Sequence, residues 1–449
     1  MRGIEGALKV LVDVERGMFA SESLRRAQRD IEPAERKLAA SLVYITLRRR
    51  GLWRHLLGRY CRRPVSSLGS DTLLSLEAGI AGVLELQHFK PGVLVNALVQ
   101  MTKNSPGSSG DASLVNAVLH SVMESAPPYV EKLRNSAELR DQALGFGVPG
   151  WVASAWAREW GMKDAKRLIG LTTANTFTAL RASPGTDRNE WASSHWPGAA
   201  LSETAKAGIL LDSNPYPPEL PGYGTGQVTP QTESSMIVSE SLLEYWRGGA
   251  LLDMCMGRGV KAGHILSFCP GASAEGWDTS APKLRSAERE FGRLGISGER
   301  FRTVCGDALS LVPSSAPSAI LLDAPCSGSG TWGRHPDGKW KISPANVERM
   351  AELQKLLLSR ACDIISPGGI IIYCTCSVFR GENENVAGSV MALRQDMAEM
   401  PLKAKSPAFR RGKPYGTVIL PESPWMDGFY IVILKKKNSV APSIRGKKD

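Results

Sequence analysis

The amino-terminal part of the chain carries apolar residues at helical spacing. Segments such as GALKVLVDVERG (residues 6–17), AERKLAASLVYITLRRR (34–50) and SDTLLSLEAGIAGVLEL (70–86) repeat this spacing along the sequence. Short breaks rich in Pro, Gly or Ser separate them. A further apolar-periodic segment follows the break at Lys103–Asp111, which we therefore interpret as a loop within one domain. The pattern predicts an all-helical domain over residues 1–125.

From about residue 241 the pattern changes to short apolar runs that alternate with helical stretches. The runs are GALLDMCM (249–256), SAEGWD (273–278), RFRTVCGD (300–307), SAILLDAPC (318–326) and GGIIIYCTC (368–376). Strands that alternate with helices predict a parallel, doubly wound sheet, in which ligands bind at the carboxyl ends of the strands. Each of these runs ends in, or close to, an Asp or a Cys.

Four segments result from these patterns. Residues 1–125 form the predicted helical domain, and residues 126–240 form a connecting segment of short helices and strands that begins the second domain. Residues 241–437 form the α/β domain, and residues 438–449 form a basic tail. The predicted fold class is therefore α plus α/β.

Charge adds an expectation about the partner. The 449 residues are 43% hydrophobic and 22% charged, with a formal net charge of +11. An excess of this size favours a polyanionic partner. Arginines are concentrated between residues 48 and 63, and we predict that Arg48, Arg49, Arg50 and Arg54 contact phosphates of this polyanion.

Cysteine usage and hydropathy bear on the compartment. The eight cysteines are few for this length and form no paired framework, which is typical of the reducing cytoplasm. No run of about eighteen apolar residues occurs, so no membrane span is predicted. The amphipathic start MRGIEGALKVLVDVER predicts a helix and not a secretory signal. We expect a cytoplasmic protein.

Three features predict a cofactor pocket. Gly257, Gly259 and Lys261 follow the first strand and suggest a turn at which a ligand approaches the backbone, although a tight turn without a ligand explains them equally well. Asp278 ends the second strand, where an acidic residue can accept hydrogen bonds from both hydroxyls of a ribose. Asp307 follows the third strand, where it can accept a hydrogen bond from an adenine amino group. Together these residues indicate a cofactor that contains adenosine.

Two thiols mark the next strand ends. Cys326 follows the fourth strand and Cys376 follows the fifth, so both should lie at one edge of the sheet. A zinc site is disfavoured because no C-x-x-C pair and no neighbouring histidine accompany them, and we expect no metal. A redox pair also lacks the C-x-x-C spacing. Buried structural cysteine remains the ordinary alternative, but it explains poorly why both thiols stand beside Pro, Ser and Gly.

A thiol beside an adenosine cofactor suggests one reaction. The C5 atom of cytosine is a poor nucleophile, and addition of a thiolate to C6 makes C5 reactive enough to attack a methyl sulfonium. Loss of the C5 proton and elimination of the thiolate then restore the ring. Covalent catalysis of this kind divides one difficult step into easier ones.

The motifs DAPCSGSG, GRHPDGKW and YCTCSVFRGENENV resemble those of the RNA 5-methylcytosine methyltransferases of the RsmB (Sun, Fmu) and NSUN family. The resemblance covers nearly the whole chain. Residues 1–125 resemble the NusB-like RNA-binding domain of the RsmB branch, and GQVTPQTESSMIV resembles the stretch before the first strand of the Rossmann-like domain. WMDGFYIVIL, Trp425–Leu434, resembles the closing strand.

The resemblance implies a role for each matching residue. Cys376, in the Thr-Cys-Ser motif, matches the nucleophile of the family, and Cys326 matches the cysteine that assists release of the enzyme. Asp323 matches an aspartate that contacts the base and the cofactor. Lys261 matches a lysine near the methionine moiety and the target base.

The cofactor loop departs from the family pattern Cys-Ala-Ala-Pro-Gly-Gly-Lys. Here it reads Cys255-Met256-Gly257-Arg258-Gly259-Val260-Lys261, with Arg258 in place of the proline and Val260 in place of the second glycine. By resemblance these residues, with Asp278, Asp307 and Asp323, bind S-adenosyl-L-methionine. A side chain at position 260 is expected to crowd the cofactor or to require a shifted backbone.

Three hypotheses follow from the sequence. The first is methylation of cytosine C5 in RNA, by resemblance the small-subunit ribosomal RNA, by a monomeric enzyme. The second is a catalytically weak RNA-binding or ribosome-assembly factor, which the altered loop at Arg258 and Val260 favours and the retained Cys326 and Cys376 oppose. The third is a DNA cytosine methyltransferase, against which the Thr-Cys motif and the NusB-like domain argue.

Overall fold

The computed structural model describes residues 2–27, 32–87, 89–105 and 109–438. The described chain divides into two compact units. The helical unit contains the residues up to Ala174 together with Thr331–Ile342, and the sheet unit contains Asn175–Gly330 and the residues from Ser343 onward.

Among the described residues, ten α-helices build the amino-terminal part of the helical unit. They are α1 (Arg2–Glu15), α2 (Ala20–Ala27), α3 (Pro33–Arg48), α4 (Arg50–Tyr60), α5 (Ser70–Glu85), α6 (Pro91–Asn104), α7 (Ala112–Ser125), α8 (Pro127–Arg134), α9 (Leu139–Gly145) and α10 (Gly150–Leu171). Proline starts α3, α6 and α8, where its missing N–H costs no helical hydrogen bond. The all-helical prediction is confirmed for the described residues of 1–125. Residues 106–108 of the predicted loop lie outside the described residues.

Close packing of α5 holds the core of this unit together. Its residues Leu74, Leu76 and Ile80 are buried, and a Cβ atom added at Gly79 would lie 2.7 Å from Leu119 of α7. Small residues on α5 therefore allow neighbouring helices to approach its backbone closely.

The arginines predicted to contact RNA lie at the junction of α3 and α4. For Arg50 the structure corrects this prediction, because the side chain is buried in an ion pair. Its side chain is only 4% exposed, its Nε donates to Glu77 at 2.7 Å, and its Nη1 lies 2.5 Å from Glu15. Glu77 is fully buried on α5 and also accepts from Nε of Arg54 at 2.5 Å. Arg50 therefore compensates a buried charge and is not free to contact phosphates.

Arg48 and Arg49 are also engaged within the helical unit. Arg49 pairs with Glu85, which accepts a further hydrogen bond from Arg134. Arg48 is half-buried, and burial lowers its pKa. Of the four predicted contacts, only Arg54 is exposed, with 45% of its side chain accessible. The predicted phosphate-binding face therefore cannot rest on all four arginines.

The helical unit is completed by a segment from the carboxyl-terminal half of the sequence. Thr331–Ile342 contains the whole motif GRHPDGKW. Nζ of Lys339, which is buried, donates to the carbonyl of Arg48 at 2.6 Å. Trp340 Nε1 donates to the carbonyl of Leu47 at 2.6 Å. These hydrogen bonds join the segment to the end of α3.

The remaining helices and strands follow in chain order. The helices are α11 (Arg188–His195), α12 (Glu233–Tyr245), α13 (Val260–Phe268), α14 (Ala281–Arg293), α15 (Gly338–Lys341), α16 (Pro344–Ile364) and α17 (Glu384–Met391), of which α15 belongs to the helical unit. The strands are β1 (Ala179–Ala182), β2 (Ala200–Leu201), β3 (Gly208–Leu210), β4 (Val228–Pro230), β5 (Gly249–Asp253), β6 (Ala272–Asp278), β7 (Phe301–Cys305), β8 (Ala319–Asp323), β9 (Ile370–Thr375), β10 (Met397–Met400), β11 (Phe409–Arg411), β12 (Thr417–Ile419) and β13 (Phe429–Lys436).

The large sheet has the order β11-β12-β13-β9-β8-β5-β6-β7, and β10 also pairs with β13. The five strands β5 to β9 are parallel, which confirms the predicted doubly wound sheet. The strands β10 to β13 pair antiparallel and extend the sheet beyond β9. The closing strand expected at Trp425–Leu434 is β13.

A smaller antiparallel sheet, in the order β2-β3-β1-β4, occupies the connecting segment. The helices α8 to α10 lie in the helical unit, so this unit extends to Ala174, beyond the predicted boundary at residue 125. The pattern of residues 127–171 is helical as well, and its proline breaks separate helices that pack together. Residues 439–449 of the predicted tail lie outside the described residues.

Candidate active site

The parallel strands bring several predicted site residues, together with Asp253, which was not predicted, to one edge of the sheet. Asp253 ends β5, Asp278 ends β6 and Asp323 ends β8, while Cys376 directly follows β9. In the ladder, Asp323 of β8 stands opposite Cys374 of β9. The carboxyl ends of neighbouring parallel strands therefore place three carboxylates and a thiol along one edge, where such sheets bind ligands.

A turn built on two glycines follows β5. Gly257 and Gly259 have φ angles of +57° and +73°, which side chains rarely adopt. The backbone N–H of Gly257 donates to Oδ2 of Asp278 at 2.9 Å, so the end of β6 holds the turn. A Cβ atom at Gly257 would meet no other atom within 4 Å, which leaves open space beside the backbone of the turn. This arrangement fits a ligand that lies against the turn.

The substitution at Val260 does not disturb this turn. Helix α13 begins at Val260, which has an ordinary helical backbone, and the left-handed conformations fall on the two glycines that remain. The shifted backbone expected at position 260 is therefore not required. Arg258 lies between the two glycines and is exposed.

The two aspartates expected to bind adenosine differ in their surroundings. Asp278 also accepts a hydrogen bond from the N–H of Ser280 at 2.8 Å, so its carboxylate orients both the glycine turn and the start of α14. Asp307 is exposed and accepts from the N–H of Leu309 at 2.9 Å, which fixes the turn after β7. Both carboxylates retain lone pairs for a ligand, because each oxygen can accept more than one hydrogen bond.

Lys261 and Asp323 form a close ion pair at this edge of the sheet. The distance from Nζ of Lys261 to Oδ2 of Asp323 is 2.5 Å, and Cys374 donates to Oδ1 of the same carboxylate at 3.5 Å. Burial disfavours the ammonium ion, but the charge of Asp323, its hydrogen bond and the neighbouring cysteines Cys374 and Cys376 together outweigh this effect and raise the pKa of Lys261. Lys261 therefore remains an ammonium ion. The ammonium also interacts electrostatically with the sulfur of Cys376.

Asp253 behaves differently from Asp323. It is 2% exposed, and its Oδ1 makes no hydrogen bond within the described part of the chain. Burial, reinforced by the charge of Asp323, raises the pKa of Asp253 to about 8. The carboxyl is therefore mainly protonated at neutral pH and does not compete with Asp323 for the charge of Lys261.

The two thiols predicted to lie together are in contact. Their Sγ atoms are 3.4 Å apart, joined by a hydrogen bond and not by a disulfide. This hydrogen bond, together with burial, raises the pKa of Cys326 well above its ordinary value. The raised pKa favours the thiol form of Cys326, which can donate this hydrogen bond to Sγ of Cys376.

A buried carboxylate that the sequence analysis did not single out joins the loops behind both thiols. Oε2 of Glu382 accepts from the hydroxyls of Ser327 and Ser377, each at 2.5 Å, and Oε1 accepts from the N–H of Ser327 at 2.7 Å. Ser327 and Ser377 directly follow Cys326 and Cys376. The signal was present in the repeated Cys-Ser dipeptide and in the motif GENENV, but only the fold brings them together.

The described residues contain neither a candidate metal site nor a candidate membrane-spanning helix. Within the described ranges, no three or more His, Cys, Asp and Glu side chains are grouped so that they could hold a metal ion. Among the helices of the same ranges, none is long and apolar enough to cross a membrane.

The fold and the strand-edge site define a Rossmann-like methyltransferase that is joined to a NusB-like helical domain. A family model described as 16S rRNA methyltransferase RsmB/F matches residues 241–435, and a NusB family model matches residues 5–124. The ribosomal RNA small subunit methyltransferase B of Thermus thermophilus is 30% identical over 446 residues, covering 97% of this chain and 98% of that relative. The chain belongs to the RsmB/F family of small-subunit rRNA methyltransferases.

Other relatives and structures agree with this assignment. The probable ribosomal RNA small subunit methyltransferase B of Bacillus subtilis is 25% identical, covering 96% of this chain and 98% of that relative. The solved structure of PH0851 has a TM-score of 0.79 at 18% identity and covers 97% of this chain and 98% of its own. NSun6 from Pyrococcus horikoshii, solved with SFG, has a TM-score of 0.55 at 17% identity and covers 64% of this chain and 98% of its own. At these identities the two structures support the fold.

The chain is accordingly an S-adenosyl-L-methionine-dependent rRNA methyltransferase. The glycine turn with its open space, held by Asp278, fits this cofactor. Asp323 ends β8, which is adjacent to β5, and Asp307 follows β7, which is adjacent to β6. When bound, the cofactor supplies an electrophilic methyl group on a sulfonium.

Proposed function

We propose that this protein methylates C5 of a cytosine in small-subunit ribosomal RNA through a covalent bond between Cys376 and C6. The observation that supports the proposal most strongly is the hydrogen-bonded pair of thiols, 3.4 Å apart, at the edge of the sheet that carries the cofactor turn. One cysteine suffices for an adduct, but two in contact provide separate groups for forming the adduct and for resolving it.

The reaction begins with Cys376 as the thiolate, which accepts a hydrogen bond from the Cys326 thiol. The nearby ammonium of Lys261 favours negative charge at Cys376, and the raised pKa of Cys326 keeps its proton in place. The thiolate adds to C6, and the electrons of the C5–C6 double bond become available at C5. C5 then forms its new bond to the methyl carbon, whose bond to the donor sulfur breaks.

Release of the product requires removal of the C5 proton. Once Cys376 is bonded to C6, it no longer accepts the hydrogen bond from Cys326 or carries a negative charge. Two of the causes that raise the pKa of Cys326 are then gone, and its thiol can lose a proton to solvent. The Cys326 thiolate takes the proton from C5, and the electrons of the C5–H bond restore the double bond and expel the Cys376 thiolate. The cycle ends with both thiols as they began and one proton released.

The target base must leave any helical stack to reach this site, because C6 is not accessible to a thiol within a paired stem. We assign Lys261 and Asp323 to the binding of the base and of the methionine part of the cofactor, since their ion pair lies between the glycine turn and Cys374. Recognition of the surrounding RNA is assigned to the helical domain. Of the arginines predicted for this role, the assignment is kept for exposed Arg54 alone.

The weak-catalyst alternative makes a different prediction for cofactor binding. It rests on Arg258 and Val260, yet the glycines with left-handed backbone are retained and Val260 adopts an ordinary helical backbone. Titration calorimetry of the full chain with S-adenosyl-L-methionine separates the two hypotheses. We expect binding with one site per chain, whereas failure to bind would favour the alternative.

The identity of the product tests the proposal itself. The full chain is incubated with small-subunit rRNA and S-adenosyl-L-methionine that carries a tritiated methyl group, and the RNA is digested to nucleosides. We expect the label in 5-methylcytidine. Label in any other nucleoside would overturn the assignment to cytosine C5.

A further inference from the structure

We propose that Glu382 is a positioning residue that fixes the distance between Cys326 and Cys376. The proposal rests on the two-cysteine reaction described above and adds a residue that neither contacts the substrate nor carries the methyl group. Its basis is the geometry around one fully buried carboxylate, which accepts four hydrogen bonds inside the sheet unit.

The four hydrogen bonds are distributed unequally between the two cysteine loops. Ser327, next to Cys326, supplies two of them, from its N–H at 2.7 Å and its hydroxyl at 2.5 Å. Ser377, next to Cys376, supplies one, from its hydroxyl at 2.5 Å. Gln354 of α16 supplies the fourth at 3.3 Å. The carboxylate thus connects the two loops directly, and a change at this position alters the distance between them.

The two loops depend on Glu382 to different degrees. Cys376 follows β9, which is buried and hydrogen-bonded to β8 on one side and to β13 on the other. The carbonyl of Cys376 also accepts from the N–H of Gly330 at 2.9 Å. Cys326 instead lies in the irregular segment after β8, where Glu382 holds the next residue. Loss of Glu382 should therefore displace Cys326 more than Cys376.

This asymmetry predicts which step fails. If Cys326 moves while Cys376 stays, the adduct still forms and the methyl group is still transferred, but removal of the C5 proton slows. A displacement of about 1 Å can reduce the rate of a chemical step by roughly 100-fold. We expect a turnover number at least about 10-fold below that of the wild type. A covalent protein–RNA complex should accumulate during turnover.

Glu382→Gln is the informative substitution, because glutamine has nearly the same shape but only one oxygen that accepts hydrogen bonds. Glu384→Gln is the matched control. Glu384 is also almost fully buried and lies two residues further along, where it pairs with Arg380 and does not bind either cysteine loop. The same chemical change is thus made at two neighbouring buried glutamates, only one of which is hydrogen-bonded to the loops of both cysteines.

The experiment measures turnover, the Michaelis constant for rRNA and the covalent complex on a denaturing gel for the full-length wild type and both variants. We expect Glu382→Gln to lower the turnover number, to leave the Michaelis constant within about threefold and to accumulate the complex, whereas Glu384→Gln matches the wild type. A merely structural role would lower activity in proportion to the folded fraction, without accumulation of the complex. Equal turnover and equal complex in the two variants would overturn the proposal.

Two serine variants keep the proposal testable if Glu382→Gln does not fold. Ser327→Ala removes one of the two hydrogen bonds on the side of Cys326, and Ser377→Ala removes the one on the side of Cys376. Ser327→Ala should accumulate the covalent complex and Ser377→Ala should not, and the reverse order would contradict the asymmetry. Cys376→Ala serves as a reference, because activity in that variant would refute the two-cysteine reaction itself and not only the role of Glu382.

Discussion

Substitution of Arg50 by alanine tests whether the arginines at the start of α4 stabilise the helical unit or bind RNA. Arg50→Ala removes one of the two cations that neutralise Glu77, which is fully buried, and it also removes the partner of Glu15. Breaking one side of a buried ion pair costs about 3–5 kcal/mol, because an uncompensated charge remains inside the protein.

Arg54→Ala is the matched control on the same helix. Arg54 also binds Glu77, but nearly half of its side chain is exposed and Arg50 remains to neutralise the carboxylate. Loss of an exposed ion pair costs about 0–1 kcal/mol. The double variant R50M/E77L replaces the buried pair by apolar side chains, and we expect it to recover most of the stability that Arg50→Ala loses.

Thermal and urea unfolding of the full chain measure these differences, together with RNA binding at several salt concentrations. For a unit of this size, 1 kcal/mol corresponds to about 2–4 °C in Tm, so Arg50→Ala should lower the transition of the helical unit by roughly 6–20 °C. Arg54→Ala should leave Tm nearly unchanged and flatten the salt dependence of RNA binding by about 0.7–0.9 in log–log slope. Equal stability of the two variants, with weaker RNA binding by Arg50→Ala, would refute the structural role of Arg50.

Two further predictions concern the cofactor edge of the sheet. Gly259→Ala should weaken binding of S-adenosyl-L-methionine and destabilise the chain by more than about 1–2 kcal/mol. The reason is that φ at this position is +73° and the added Cβ would lie 2.9 Å from Phe291. An affinity by calorimetry equal to that of the wild type would contradict this prediction. The carboxyl of Asp253, whose pKa burial raises to about 8, contributes its full stability below about pH 4 and loses it as the pH rises toward 8. Asp253→Asn should therefore gain stability relative to the wild type across that range in urea titrations, and a difference that does not vary with pH would refute the assigned protonation.

The placement of site residues at strand ends was predictable, because the parallel strands of one sheet have their carboxyl ends at the same edge. Five apolar runs predicted β5 to β9, and Cys326 lies beside Cys376 at one edge of the sheet, as expected. The ion pair between Asp323 and Lys261 was not predicted. A local pattern sufficed here, because each functional residue is defined by its position on its own strand.

Partners distant in the sequence were not predictable in this way. A cluster of arginines predicts a basic surface only if no acid faces it, and Glu77, 27 residues beyond Arg50, lies on another helix. Glu382 likewise acquires its role from serines on two separate loops, one of them 55 residues away. In both cases tertiary packing decides what a charged residue does.

The extent of the helical unit was also not predictable from the local sequence pattern. Thr331–Ile342 follows the Cys326 loop directly in sequence, yet Lys339 and Trp340 donate to backbone carbonyls at the end of α3. A fragment that begins near residue 130 would therefore remove the hydrogen-bonding partners of this segment. The predicted boundary at residue 125 is close to the end of the NusB family match at residue 124, whereas the compact helical unit extends to Ala174.

A denaturing gel with labelled small-subunit rRNA and S-adenosyl-L-methionine measures whether the two thiols have separate tasks. We expect Cys326→Ala to form a slowly migrating protein–RNA complex, because the adduct to Cys376 forms and cannot be resolved. Cys376→Ala should form no complex and no 5-methylcytidine, while RNA binding persists. Full turnover by Cys376→Ala, or a complex with Cys376→Ala and none with Cys326→Ala, would contradict the account.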